Sequence, residues 1–69
     1  MSNHEKVMSI MMTDPEKKWS APEIASIMYG EQYTANQRNR VNIVLRQAEP
    51  YGFVKKHDQK GRTTYWVLA

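Results

Sequence analysis

Three Ser/Thr-x-x-Glu/Gln patterns, Ser2 with Glu5, Ser20 with Glu23 and Thr34 with Gln37, each stand at the head of a helically spaced apolar run. In such a pair the hydroxyl accepts the amide of the third helical residue, and the acid or amide reaches back to the cap amide. Two otherwise unpaired donors at a helix start are then satisfied by local sequence alone. Three such starts within 37 residues divide the first part of the chain into short helices.

Val7, Met8, Ile10 and Met11 follow the first cap and predict a helix from about Asn3 to Met12. Asp14 is pushed out of helical geometry by Pro15, and Glu16, Lys17 and Lys18 continue as a polar loop. Trp19 then stands alone, readable as a one- or two-residue strand or as a core plug. The second helix is predicted over Ala21 to Tyr29, with Pro22 early enough to be tolerated. Ile24, Ile27 and Met28 share its apolar face, Ala25 is a small contact, and Gly30 is expected as a left-handed stop. The third helix is predicted over Ala35 to Ala48. Its Val41, Val44, Leu45 and Ala48 fall at i, i+3, i+4 and i+7, and Pro50 is expected to end it by disfavouring helical geometry at Glu49.

Beyond Gly52 the period changes. Phe53 and Val54 lead into Lys55, Lys56 and His57, and Asp58 to Gly61 carry turn residues. The run from Thr63 to Leu68 is β-branched, aromatic or aliphatic. These predict a hairpin; if His57 faces Arg62, Phe53 pairs with Trp66 and Val54 with Tyr65. The expected fold is α+β, three helices followed by a two-stranded β-hairpin, as one domain over residues 1–69. Trp19, Phe53, Trp66 and Leu68 complete its scaffold with the first two helices, and the methionines serve as flexible core filler.

Charge is unevenly placed. Residues 1–34 carry Lys6, Lys17 and Lys18 against five carboxylates, a net −2. Residues 35–69 carry Arg38, Arg40, Arg46, Lys55, Lys56, Lys60 and Arg62 against Glu49 and Asp58, a net +5. A basic second half suits a polyanionic partner, the other reading being a solvated surface. The chain has no cysteine, no apolar run of membrane-spanning length and no secretion-signal pattern, so a cytoplasmic site is expected.

With the apolar stripe of the third helix turned inward, Asn36, Asn39, Ile43, Arg46 and Gln47 point outward. Arg40 lies on one flank, and Arg38 nearer the core edge, from where it can snorkel. Asn, Gln and Arg are the side chains that read base edges through paired hydrogen bonds, and no carboxylate interrupts Ala35 to Ala48. Ile43 could meet a thymine methyl or belong to a partner contact. Lys60 and Arg62 beside Gly61 place cations at the hairpin tip, within reach of phosphate, although edge lysines also guard against aggregation.

The segment Val41-x-x-x-Leu45-x-x-Ala48-x-x-x-Gly52-Phe53-Val54, followed by Lys55 and Lys56, resembles the recognition helix and first wing strand of bacterial winged helix-turn-helix repressors. Ser20-Ala21-Pro22-Glu23-Ile24-Ala25 looks like the start of that family's second helix, while the stretch from Ala25 to Val41 is several residues longer than usual there. The resemblance implies a bacterial or phage transcription regulator binding double-stranded DNA, its third helix in the major groove and its hairpin on the flanking backbone. Asn36, Asn39, Arg40 and Ile43 are then the candidates for base contacts; Arg38, Arg46, Gln47, Lys56, Lys60 and Arg62 are those for phosphates. Because one module buries little area, a homodimer, neighbouring sites or a partner protein is expected to support occupancy. A protein-interaction adaptor on the same scaffold is the competing reading, and structured RNA the competing polyanion.

Catalysis is not expected. His4 and His57 fall in different elements without metal-ligand spacing, Ser2 and Ser20 are caps, and the three glycines are too scattered to cradle a phosphate. No enzyme activity, cofactor or metal is predicted.

Overall fold

A computed structural model describes residues 2–69. Its elements run α1 (Asn3–Met12), β1 (Trp19–Ser20), α2 (Ala21–Tyr29), α3 (Ala35–Ala48), β2 (Val54–Lys60) and β3 (Thr63–Leu68). The three helices begin at the expected caps. The Ser2, Ser20 and Thr34 hydroxyls accept the amides of Glu5, Glu23 and Gln37, and the last two pairs form reciprocal capping boxes. The class is α+β, as expected, but the sheet is a three-stranded antiparallel one in the order β1-β3-β2 rather than a two-stranded hairpin. Trp19 is thus a strand residue and also a core residue, paired with Trp66 and 4% exposed.

One core serves both layers. Val7 and Met11 of α1, Ile24 and Ala25 of α2 and Val41, Val44, Leu45 and Ala48 of α3 pack with Trp19, Val54 and Trp66. The α3 stripe is buried as its periodicity predicts, whereas Ile27 of α2 and Met12 of α1 stand exposed. Ile27 lies one turn along from Ile24, but the core side of α2 is set by Ala21, Ile24 and Ala25, which leaves Ile27 beyond its edge. Trp19 Nε1 donates to the Asp14 carbonyl at 3.3 Å, while Trp66 Nε1 is buried without a hydrogen-bond partner among the described residues.

The hairpin register departs from expectation. Val54 pairs with Leu68, Lys55 with Val67 and Lys56 with Trp66; pairing then resumes at Asp58 with Tyr65 and ends at Lys60 with Thr63. His57 is the extra residue of a β-bulge, and the turn is the two-residue Gly61-Arg62 rather than a loop from Asp58 to Gly61. Gly61 at φ 60°, followed by a residue of negative φ, has the pattern of a II′ turn, whose twist matches that of the paired strands and lets them close tightly. Phe53 therefore pairs with nothing in β3 and is exposed, not part of the scaffold.

Two helix ends also differ from the sequence reading. Gly30 has positive φ but extended ψ (93°, 169°), so it stops α2 without the left-handed helical conformation. Glu49 stays helical despite Pro50. The turn closes instead at Gly52, φ 80°, where Gly52 N–H donates to Glu49 and Phe53 N–H to Ala48. These are the two bonds of a Schellman motif, and its positive φ is the conformation that glycine supplies without a Cβ clash.

The start of α2 is also held by charge. Lys17 Nζ lies 3.0 Å from Glu23 Oε2, and Glu23 accepts from the Ser20 amide and hydroxyl. Partial burial pushes the Glu23 carboxyl up, but the Lys17 and Ser20 hydrogen bonds and the Lys17 charge outweigh it and hold it below the usual carboxylate range. A carboxyl depressed on folding contributes stability above its unfolded-state pKa and loses it as pH falls through the folded value. The melting-temperature advantage of the parent over Glu23→Gln, which keeps a capping-box residue, should therefore shrink as the solution is acidified through the carboxylate range. A gap that is constant with pH would show that the ion pair contributes nothing.

Candidate nucleic-acid interface

The predicted outward face of α3 divides in two. Arg38, Asn42 and Arg46 recur at i, i+4 and i+8, forming one row along the helix with Asn39 beside it. This row borders a cleft of about 380 Å³ whose other walls are Ala21 and Pro22 at the start of α2 and Arg62, Thr63 and Thr64 at the hairpin turn. Three of the predicted phosphate candidates, Arg38, Arg46 and Arg62, thus meet in one cleft with one base candidate, Asn39. No carboxylate lines it.

The other candidates lie elsewhere. Asn36, Arg40 and Ile43 are exposed on α3 and do not border that cleft. Gln47 turns toward α1, where its Oε1 is 3.3 Å from His4 Nε2. Lys56 sits opposite Trp66, with Nζ 5.9 Å from the ring centroid, so its cation lies over a core side chain instead of in the cleft. Lys60 is exposed at the end of β2, opposite Thr63.

Sequence reasoning passed over Asn42, Thr63 and Thr64. For Asn42 a signal existed: it stands one helical turn from both Arg38 and Arg46, so any ligand spanning those two cations passes over it. The threonines carried none, because they reach the cleft only through the two-residue turn.

Three guanidinium groups border the cleft. Among the described residues Lys17–Glu23 is the only ion pair within 4.0 Å, so none of the three guanidinium groups is neutralised by a carboxylate. Arg62 projects from a tight turn and Arg38 and Arg46 from a packed helix, which limits the conformational freedom their backbones lose when an anion binds. Guanidinium forks suit phosphate oxygens, and the Asn39 and Asn42 amides can each donate and accept.

Among the described residues no three His, Asp or Glu side chains are grouped to hold a metal ion, and no helix is long and apolar enough to cross a membrane. Comparison of the chain with family models, curated proteins and solved structures gave no match.

Proposed function

We propose that this chain is a winged helix-turn-helix module that binds double-stranded DNA, with α3 entering the major groove and the β2–β3 hairpin acting as a wing against the adjoining backbone. The observation that carries this reading is the convergence of Arg38, Arg46 and Arg62, with Asn39 and Asn42, on a cleft without a carboxylate. Helix-borne amides and guanidinium groups supply base-edge readout in a groove wide enough to admit a helix. Cations on both walls of the cleft supply the phosphate contacts that fix orientation. A role in transcription regulation follows from sequence-selective binding by such a module, and a second copy or a partner protein would extend its small footprint.

Binding should fall steeply with salt, because each neutralised phosphate releases condensed counterions. Arg38→Ala, Arg46→Ala and Arg62→Ala should each weaken every duplex and lower the slope of log affinity against log salt by about one unit. Fluorescence anisotropy with DNA and RNA duplexes at several salt concentrations reads this directly. The deep, narrow major groove of A-form RNA excludes a helix, so RNA should be bound more weakly. A protein-interaction adaptor would show little duplex binding, or only weak binding indifferent to sequence, and slopes unchanged in all three variants would remove the cleft from the interface.

A further inference from the structure

On the other side of Arg46, a second and shallower groove of about 550 Å³ is lined by His4, Arg46, Gln47, Pro50 and Tyr51. Arg46 borders both, so the groove adjoins the arginine cleft across that side chain. Its wall ends in the Tyr51 ring, and the Phe53 ring lies next to Tyr51 outside the lining. Tyr51 is 78% exposed and Phe53 58% exposed, with ring centroids 6.3 Å apart and planes inclined by 30°.

The backbone beneath these rings is pinned. Phe53 N–H donates to Ala48, its carbonyl accepts from the Ala69 amide, and Gly52 N–H donates to Glu49. Two large rings displayed on this turn bury little of their own surface, and the backbone that carries them is already ordered, which lowers the entropy lost on binding.

We infer that this platform is a stacking site for an unpaired nucleobase, with the phosphate leading to that base held by Arg46. The inference rests on the proposed binding of nucleic acid in the adjoining cleft. The chemistry of the lining selects the ligand. Pro50 is the one aliphatic residue lining the groove, too little for the apolar face of a partner helix; beside it stand the Tyr51 ring, the Arg46 cation and the hydrogen-bonded His4–Gln47 pair, with the Phe53 ring 6.3 Å from that of Tyr51. No carboxylate lines the groove. Aromatic rings beside a cationic track are the arrangement on which single-stranded bases stack. The site therefore recognises a strand end, gap or melted stretch next to the duplex seated in the cleft.

The test compares a labelled blunt duplex with the same duplex carrying a short thymine overhang, using the full chain. The overhang should tighten binding about five- to hundredfold, the range expected from stacking one base. Tyr51→Ala with Phe53→Ala should abolish that gain while leaving blunt-duplex affinity unchanged. Tyr51→Phe should keep it, because the ring and not the hydroxyl is used. Both rings are solvent-exposed, so the melting temperature of the double variant checks that its fold is intact.

A blunt duplex that binds without any gain from an overhang overturns this inference and leaves the duplex reading standing. A gain that survives in the double variant overturns it as well. Loss of all nucleic-acid binding by the parent overturns both readings. Self-association of the parent that the double variant lacks, with no overhang effect, makes the platform a contact between copies instead.

Discussion

Leu45→Ala is expected to leave most of the chain unfolded at 37 °C. Leu45 is fully buried on α3 among side chains from α1, α2 and the sheet. Removing its branched end costs about 2–5 kcal/mol, the lost transfer energy plus the cavity left behind. A core in a domain this small supplies only about 3–5 kcal/mol in total, so the substitution consumes most of the stability. The readout is built in: Trp19 and Trp66 are 4% and 2% exposed, and their emission should shift to the red as α3 detaches. Phe53→Ala, a larger truncation by atom count, should change stability by less than about 0.5 kcal/mol because its ring already faces solvent. A Leu45→Ala protein that melts like the parent, or a Phe53→Ala protein that does not, would contradict the packing described.

Under the proposed function, the second large effect is a divergence between two neighbours on α3. Asn39 borders the arginine cleft, whereas Arg40, the next residue, is exposed outside it. Asn39→Ala should cost about 1–3 kcal/mol at the preferred sequence and flatten discrimination at one base pair. It should leave non-specific duplex nearly unaffected, because an uncharged amide releases no counterion. Arg40→Ala should weaken preferred and non-specific duplexes alike and reduce the salt slope. Selection from random duplexes with the parent and both variants separates the two effects. Identical preferred sequences for all three proteins would mean that neither residue reads a base.

The helices were legible in the sequence because their boundaries are local events. Each cap pairs residues three apart, so Ser20 with Glu23 and Thr34 with Gln37 mark the starts of α2 and α3 without reference to the rest of the chain. The hairpin was less legible because its register depends on one residue. The bulge at His57 and the two-residue turn shift the pairing, and a side-chain period of two converts small shifts into exchanges of face. The Phe53–Trp66 pairing expected from the sequence places Phe53 in the scaffold. Lys56 in fact shares a face with Trp66, and Phe53 lies outside the ladder. The candidate site was legible where it lies on α3, since Arg38, Asn39 and Arg46 follow from the buried stripe. The division of the outward face into two flanks was not, because it depends on which neighbours α3 meets.

Ser20 belongs to two elements at once. It ends the strand paired with β3 through Tyr65, and its hydroxyl caps α2, whose first two residues wall the arginine cleft. The hairpin root and the cleft wall are therefore a single fixed support. β1 reaches only Trp66 and Tyr65, so Thr63, Thr64 and the Gly61-Arg62 turn extend past it, paired in the sheet with β2 alone. That extension carries Arg62. Under the proposed function, the Arg38–Arg46 row is therefore the wall of the cleft fixed by core packing, and Arg62 stands on the wall whose ladder has a single neighbour.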